Sequence, residues 1–112
     1  MAVRMTKPWQ PLAPDTVKAL TGQLGVYQLA DASDRVVMIG FAGGRSLFGL
    51  RGEVEKALKA PPAGAVKFRV EVNQQYTTRW QELLMVHVHD HGALPVENQK
   101  DPPPRLGRLS PG

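Results

Sequence analysis

The sequence predicts an α/β sandwich: a small, three-stranded, mainly antiparallel sheet flanked by helices. Three observations predict it. Ala65 to Val72 alternates, with Val66, Phe68, Val70 and Val72 on one side and Lys67, Arg69 and Glu71 on the other, the pattern of a strand with one wet face. Before it, two segments rich in β-branched and apolar residues are joined by a short polar turn. Two stretches with helical spacing then bracket the alternating segment. At 112 residues, with 42% apolar side chains, the chain suits one domain with a genuine core.

Residues 1–23 read as an N-terminal arm and a short helix, with Asp15 capping Thr16 to Leu20 and Gly22 ending it. Val26 to Ala30 is the first strand, Asp31-Ala32-Ser33-Asp34 the turn, and Arg35 to Gly40 the second strand. Ser46 is placed to cap a helix running to about Ala60, with Leu47, Leu50, Val54, Ala57 and Leu58 on one face; Pro61-Pro62-Ala63-Gly64 stops it. After the third strand, Thr78-Arg79-Trp80-Gln81 has capping-box spacing and starts a second long helix, which Gly92 ends. Val86-His87-Val88-His89 also alternates as a strand would, but its continuity with the cap favours helix. From Gln99 onward, residues 99–112 read as an extended or disordered tail.

The formal net charge of +4 suits a polyanion and equally suits simple solubility. There are no cysteines, which removes disulfides, thiolate metal sites and cysteine nucleophiles from consideration. No apolar run approaches a membrane span, so the expectation is a soluble, cytoplasmic protein with no membrane partner.

Gly25-Val26-Tyr27 stands shortly before Met38-Ile39-Gly40. A Gly-rich loop then enters a helix holding Arg51, followed by a strand, a helix holding Glu82, and Pro95-Val96-Glu97-Asn98. This ordered set, over roughly residues 24–98, resembles the GIY-YIG nuclease superfamily. The resemblance implies an endonuclease, a hydrolase of phosphodiester bonds. It assigns Tyr27 to the first motif tyrosine, Arg51 to the helix arginine, Glu82 to the glutamate that holds a single Mg²⁺ (or Mn²⁺), and Asn98 to the closing asparagine. The second motif departs from the family: Met38 stands where tyrosine is usual, ahead of Gly40. Nucleic acid is the implied partner, DNA ahead of RNA, and because the sequence shows no added reader motif, a protein partner or a damaged or branched substrate is expected to supply selectivity.

The chemistry can be argued from the residues. Phosphodiester hydrolysis needs a proton acceptor for water, neutralisation of the phosphorane charge and help for the leaving oxygen. A tyrosine serves as base only if its phenolate is stabilised; an arginine binds phosphate bidentately; one carboxylate can hold a Mg²⁺ that keeps most of its waters. With Asp31–Asp34 as a four-residue turn, Tyr27 pairs with Met38, whose thioether cannot replace a phenol.

Each residue also has a plainer reading: Tyr27 as a strand tyrosine packed on Met38, Arg51 as the i,i+4 partner of Glu55, and Glu82 as a carboxylate satisfied by an arginine. Arg45 competes with Arg51 for the arginine role. Arg45, Lys67, Arg69 and Arg79 are candidate phosphate contacts, as are Lys100, Arg105 and Arg108 in the tail. His87, His89 and His91 alternate. His87 and His91 share a helical face at a spacing that can bind zinc, but no third ligand accompanies them. Two functional readings follow: a metal-dependent nuclease, or a module of the same fold that has lost cleavage and binds nucleic acid or protein, with Met38 the reason for the second. A zinc-binding domain built on the histidine run is a third.

Overall fold

A strand can bury every side chain only when it is paired on both edges and covered on both faces, and the segment Gly25–Ala30, buried along its whole length, meets that condition. The computed structural model describes residues 4–101. In chain order these form β1 (Gln10–Pro11), α1 (Pro14–Lys18), β2 (Gly25–Ala30), β3 (Val36–Ala42), α2 (Gly49–Lys59), β4 (Lys67–Val72) and α3 (Tyr76–His91), with short 3-10 turns at Pro62–Gly64 and Asn98–Lys100. The sheet is antiparallel throughout, in the order β1-β4-β2-β3.

The α/β sandwich is as the sequence predicts, but the sheet has four strands and not three. The extra strand lies in the expected arm, where Gln10 pairs with Phe68 and Pro11 with Lys67. A two-residue strand containing proline has no periodicity to read; the free edge of β4 recruits it. The arm is further tied down by Met5, which is buried against β2, β3 and α3.

The core has two layers. On one face Tyr27, Leu29 and Phe68 meet Leu50, Val54 and Ala57 of α2 and Val17 of α1. On the other, Val26 and Ile39 meet Leu83 and Leu84 of α3. The face of β4 expected to be wet is largely occupied: the Arg69 guanidinium sits 4.2 Å from the centre of the Trp9 ring and donates to Gln28 at 2.7 Å.

Several boundaries move for local reasons. Helix α1 begins at Pro14, whose fixed φ and missing N–H suit the first helical turn, so Asp15 lies within the helix and is not its cap. Ser46 does not cap α2; its hydroxyl accepts from the Gly43 amide and closes a turn, and α2 starts at Gly49. Gly49 has φ +57, and a Cβ there would lie 2.3 Å from the Gly22 carbonyl oxygen, so only glycine fits. Helix α3 starts ahead of the expected Thr78, where the Asn73 side chain accepts the Gln75 amide, and it continues through the histidines to Gly92 at φ +81. The tail expected from Gln99 begins inside a 3-10 turn; its part from Pro102 onward, with Arg105 and Arg108, lies outside the described residues.

The hairpin register also differs. Tyr27 pairs with Gly40, not Met38, which instead faces Leu29. The connection is one residue longer than expected, since the Asp31 carboxylate accepts from both Ser33 and Arg35 and the Asp31 amide bonds the Arg35 carbonyl. A bulge between Leu29 and Ala30 adds the second shifted residue.

Strand β3 is an edge, and its outward backbone groups are met by the C-terminal segment. The Glu97 amide donates to Val37 O at 2.9 Å. The Asn98 side chain accepts from the Ile39 amide and donates to its carbonyl, both at 2.8 Å, and Trp80 Nε1 donates to that same carbonyl at 2.9 Å. This caps an edge that would otherwise invite a foreign strand. Asn98→Ala is expected to lower stability by about 1–3 kcal/mol, because the buried Ile39 amide loses its partner. The measurement is a urea titration: a reduced midpoint at unchanged slope is the expected result.

Candidate functional site

Gly40 lets Tyr27 lie flat across β3. A Cβ at position 40 would stand 2.3 Å from Tyr27 Cζ and 2.4 Å from its hydroxyl oxygen, so any other residue displaces the ring. Tyr27 is only 4% exposed. Burial, with a contribution from the Glu53 charge, pushes its phenol well above the ordinary range. It is therefore a neutral hydrogen-bonding group at physiological pH and a poor base. Its ring helps to line a recess of about 240 Å³ that wraps the outer edge of β3, with Met38, Gly40, Phe41, Trp80, Glu97, Asn98 and Asp101 as other walls.

Phe41 separates this recess from a second, of about 430 Å³, lined by Gly43, Gly44, Arg45, Ser46, Tyr76 and Thr77. Tyr76 rests on Gly43 as Tyr27 rests on Gly40: a Cβ at Gly43 would be 2.6 Å from the Tyr76 ring. Phe41 stacks on Tyr76 at 5.5 Å and meets Trp80 edge-on at 5.1 Å. Phe41, Tyr76 and Trp80 are not among the residues that the sequence singles out for a functional role. Their signal was the i,i+4 aromatic pair at the start of α3, facing an aromatic directly after Gly40.

Of the residues singled out in the sequence, Tyr27, Met38, Gly40 and Asn98 come together around the first recess, and Arg45 lines the second. Arg51 and Glu82 line neither. Arg51, on α2, pairs with Glu55 at 3.0 Å. Glu82, on α3, pairs with Arg79 at 3.2 Å, and Arg79 is held more closely by Glu71, at 2.7 Å. Burial alone would raise the Glu71 carboxyl, but the hydrogen bonds and charge of Arg79, with help from Asn73, hold it below its ordinary value. Three more of the cations proposed for phosphate are engaged, Lys67 with Asp34, Arg69 with Gln28 and Trp9, and Lys100 with Glu97, whereas Arg45 is exposed. Asn98 has a fully accounted structural role in the clamp on Ile39.

His87 and His91 stack at 4.4 Å, and His87 Nδ1 lies 2.9 Å from the Ala93 carbonyl oxygen. Burial lowers the His87 pKa. Among the described residues no group of three or more histidines and carboxylates is placed to hold a metal ion. Also among them, no helix is long and apolar enough to cross a membrane.

Residues 3–90 match the model of a family described as a domain of unknown function (DUF7508). No curated protein matches the chain.

Two pH dependences follow. The folded pKa of Tyr27 lies above its unfolded value of 10.0, so its contribution is complete below that pH and is lost as pH rises toward the folded pKa. Unfolding midpoints of wild type are expected to fall on the alkaline side more steeply than those of Tyr27→Phe. The folded pKa of Glu71 lies below its unfolded value of 4.5, so its contribution is present above that value and is lost as pH falls through the folded pKa. Glu71→Gln is expected to flatten this acid limb in the same denaturation series, at lower stability near neutrality.

Proposed function

The chain belongs to the DUF7508 family, whose description names no activity, and we propose that it is a nucleic-acid-binding domain of GIY-YIG type that has lost cleavage. The observation that carries this reading is the separation of binding groups from hydrolytic ones. The recess beside Tyr27 gathers aromatic and hydrogen-bonding side chains. Arg51 and Glu82, the arginine and carboxylate that cleavage would require, line neither recess and each has an ion-pair partner elsewhere. Met38 supplies no second phenol.

The donor set does not fit a resident Mg²⁺ or Mn²⁺. A Mg²⁺ on a single carboxylate relies on substrate phosphate and water for its remaining ligands. Glu82 already accepts from Arg79 and is not among the residues lining the Tyr27 recess. Support for nucleic acid comes from the net charge of +4 and from Arg45, exposed beside an aromatic cluster. The reading takes the protein as cytoplasmic, prefers DNA to RNA, and leaves sequence selection to a protein partner.

The test is a pair of assays. Fluorescence anisotropy with DNA and RNA is expected to show salt-sensitive binding. Plasmid nicking in Mg²⁺ or Mn²⁺, with EDTA controls, is expected to stay at background for wild type and for Met38→Tyr, since restoring a phenol does not bring Arg51 and Glu82 to it. Metal-dependent nicking that disappears in Glu82→Ala would establish a nuclease instead. Absence of binding to every nucleic acid would point to a protein-interaction module.

A further inference from the structure

Resting on the nucleic-acid reading, we propose that the cleft along the outer edge of β3 takes one unpaired nucleotide, with its base stacked on Phe41 and its phosphate at Arg45. Phe41 is a large aromatic ring left 36% exposed at the junction of the two recesses. It is also a fixed ring, held by Tyr76 on one side and Trp80 on another. A preset aromatic face loses little freedom when a base lands on it, and every base offers a π-face, so such stacking tolerates sequence.

Charge sets the direction of the bound nucleotide. At one end Arg45 is exposed and makes no ion pair among the described residues, and the Ser46 and Thr77 hydroxyls stand beside it. At the other end are Asp101, Glu97, whose charge is offset by Lys100 at 3.1 Å, and the neutral Tyr27 phenol. A phosphate is drawn to the Arg45 guanidinium, which no carboxylate offsets among the described residues, while the polar edge of a base can meet Tyr27 and Asp101 at the other end. A paired base in a duplex hides its face in the stack and must be extruded before it can enter, so unpaired substrate is favoured.

The experiment is anisotropy with a labelled oligothymidine and with a duplex of equal length, on wild type and four variants. Wild type is expected to bind the single strand more tightly. Phe41→Ala should weaken that binding by about fivefold to 150-fold, the range for loss of one stacked base. Phe41→Tyr should keep it. Arg45→Gln should weaken it and reduce the salt slope by about one phosphate contact. Lys59→Gln, an exposed change on α2 away from the cleft, should leave it unchanged. Should circular dichroism show Phe41→Ala misfolded, Phe41→Tyr and Arg45→Gln carry the test on folded protein. Equal affinity for both strands, indifferent to position 45 and to Phe41, would overturn the cleft proposal while leaving nucleic-acid binding intact. Failure to bind either probe would sink both.

Discussion

The register between β2 and β3 is the constraint from which the rest of the molecule follows. Two local features set it: the Asp31 carboxylate, which binds the Ser33 and Arg35 amides and lengthens the turn, and the bulge between Leu29 and Ala30. Together they shift the pairing by two residues. Because side chains alternate with period two, the shift keeps every residue on its own face and changes only its neighbour. Tyr27 thereby meets Gly40, where a flat ring fits, and Met38 moves along to Leu29.

That exchange determines what the edge of β3 can offer. With the Tyr27 ring over Gly40, the strand is thin enough for its rim to be lined from both layers: Tyr27 and Met38 from the α2 side, Phe41 and Trp80 from the α3 side. The backbone of the same strand is then closed by Glu97, Asn98 and Trp80, so the edge presents side chains and not open hydrogen-bonding groups. On the α3 face, Glu71, Arg79 and Glu82 form a half-buried ionic group whose carboxylates hold one guanidinium. Such a group is costly to break by removing one partner, and it gives Glu82 a structural use beside any chemical one.

Much of the fold was legible because it rests on periodicity. The strand at Lys67–Val72 and the helical spacing of Leu50, Val54 and Ala57 each survive in the structure, although Val72, expected on the dry face, is exposed. What the sequence hid depends on contacts between distant residues. Strand β1 exists only because β4 has a free edge, and the α2 start depends on Gly22 and Gly49 meeting across a loop. The same holds for the candidate site. Tyr27, Gly40 and Asn98 could be singled out from local words and do meet, but their neighbour Trp80 and the engagement of Arg79, Arg69 and Lys67 with internal partners required the tertiary structure. A cation in a sequence looks available; whether it is depends on carboxylates and rings brought from elsewhere.

The proposed loss of cleavage, with Tyr27, Phe41 and Arg45 around the two recesses, makes the β3 edge the functional surface, and this is the central claim. It is tested most directly by titrating ¹⁵N-labelled protein with a short single-stranded oligonucleotide and following amide and indole resonances. The account predicts that perturbations cluster at Phe41, Gly43, Gly44, Arg45, Tyr76 and the Trp80 indole. Perturbations confined to the outer face of α2 or to the His87–His91 end of α3, or none at saturating oligonucleotide, would contradict it.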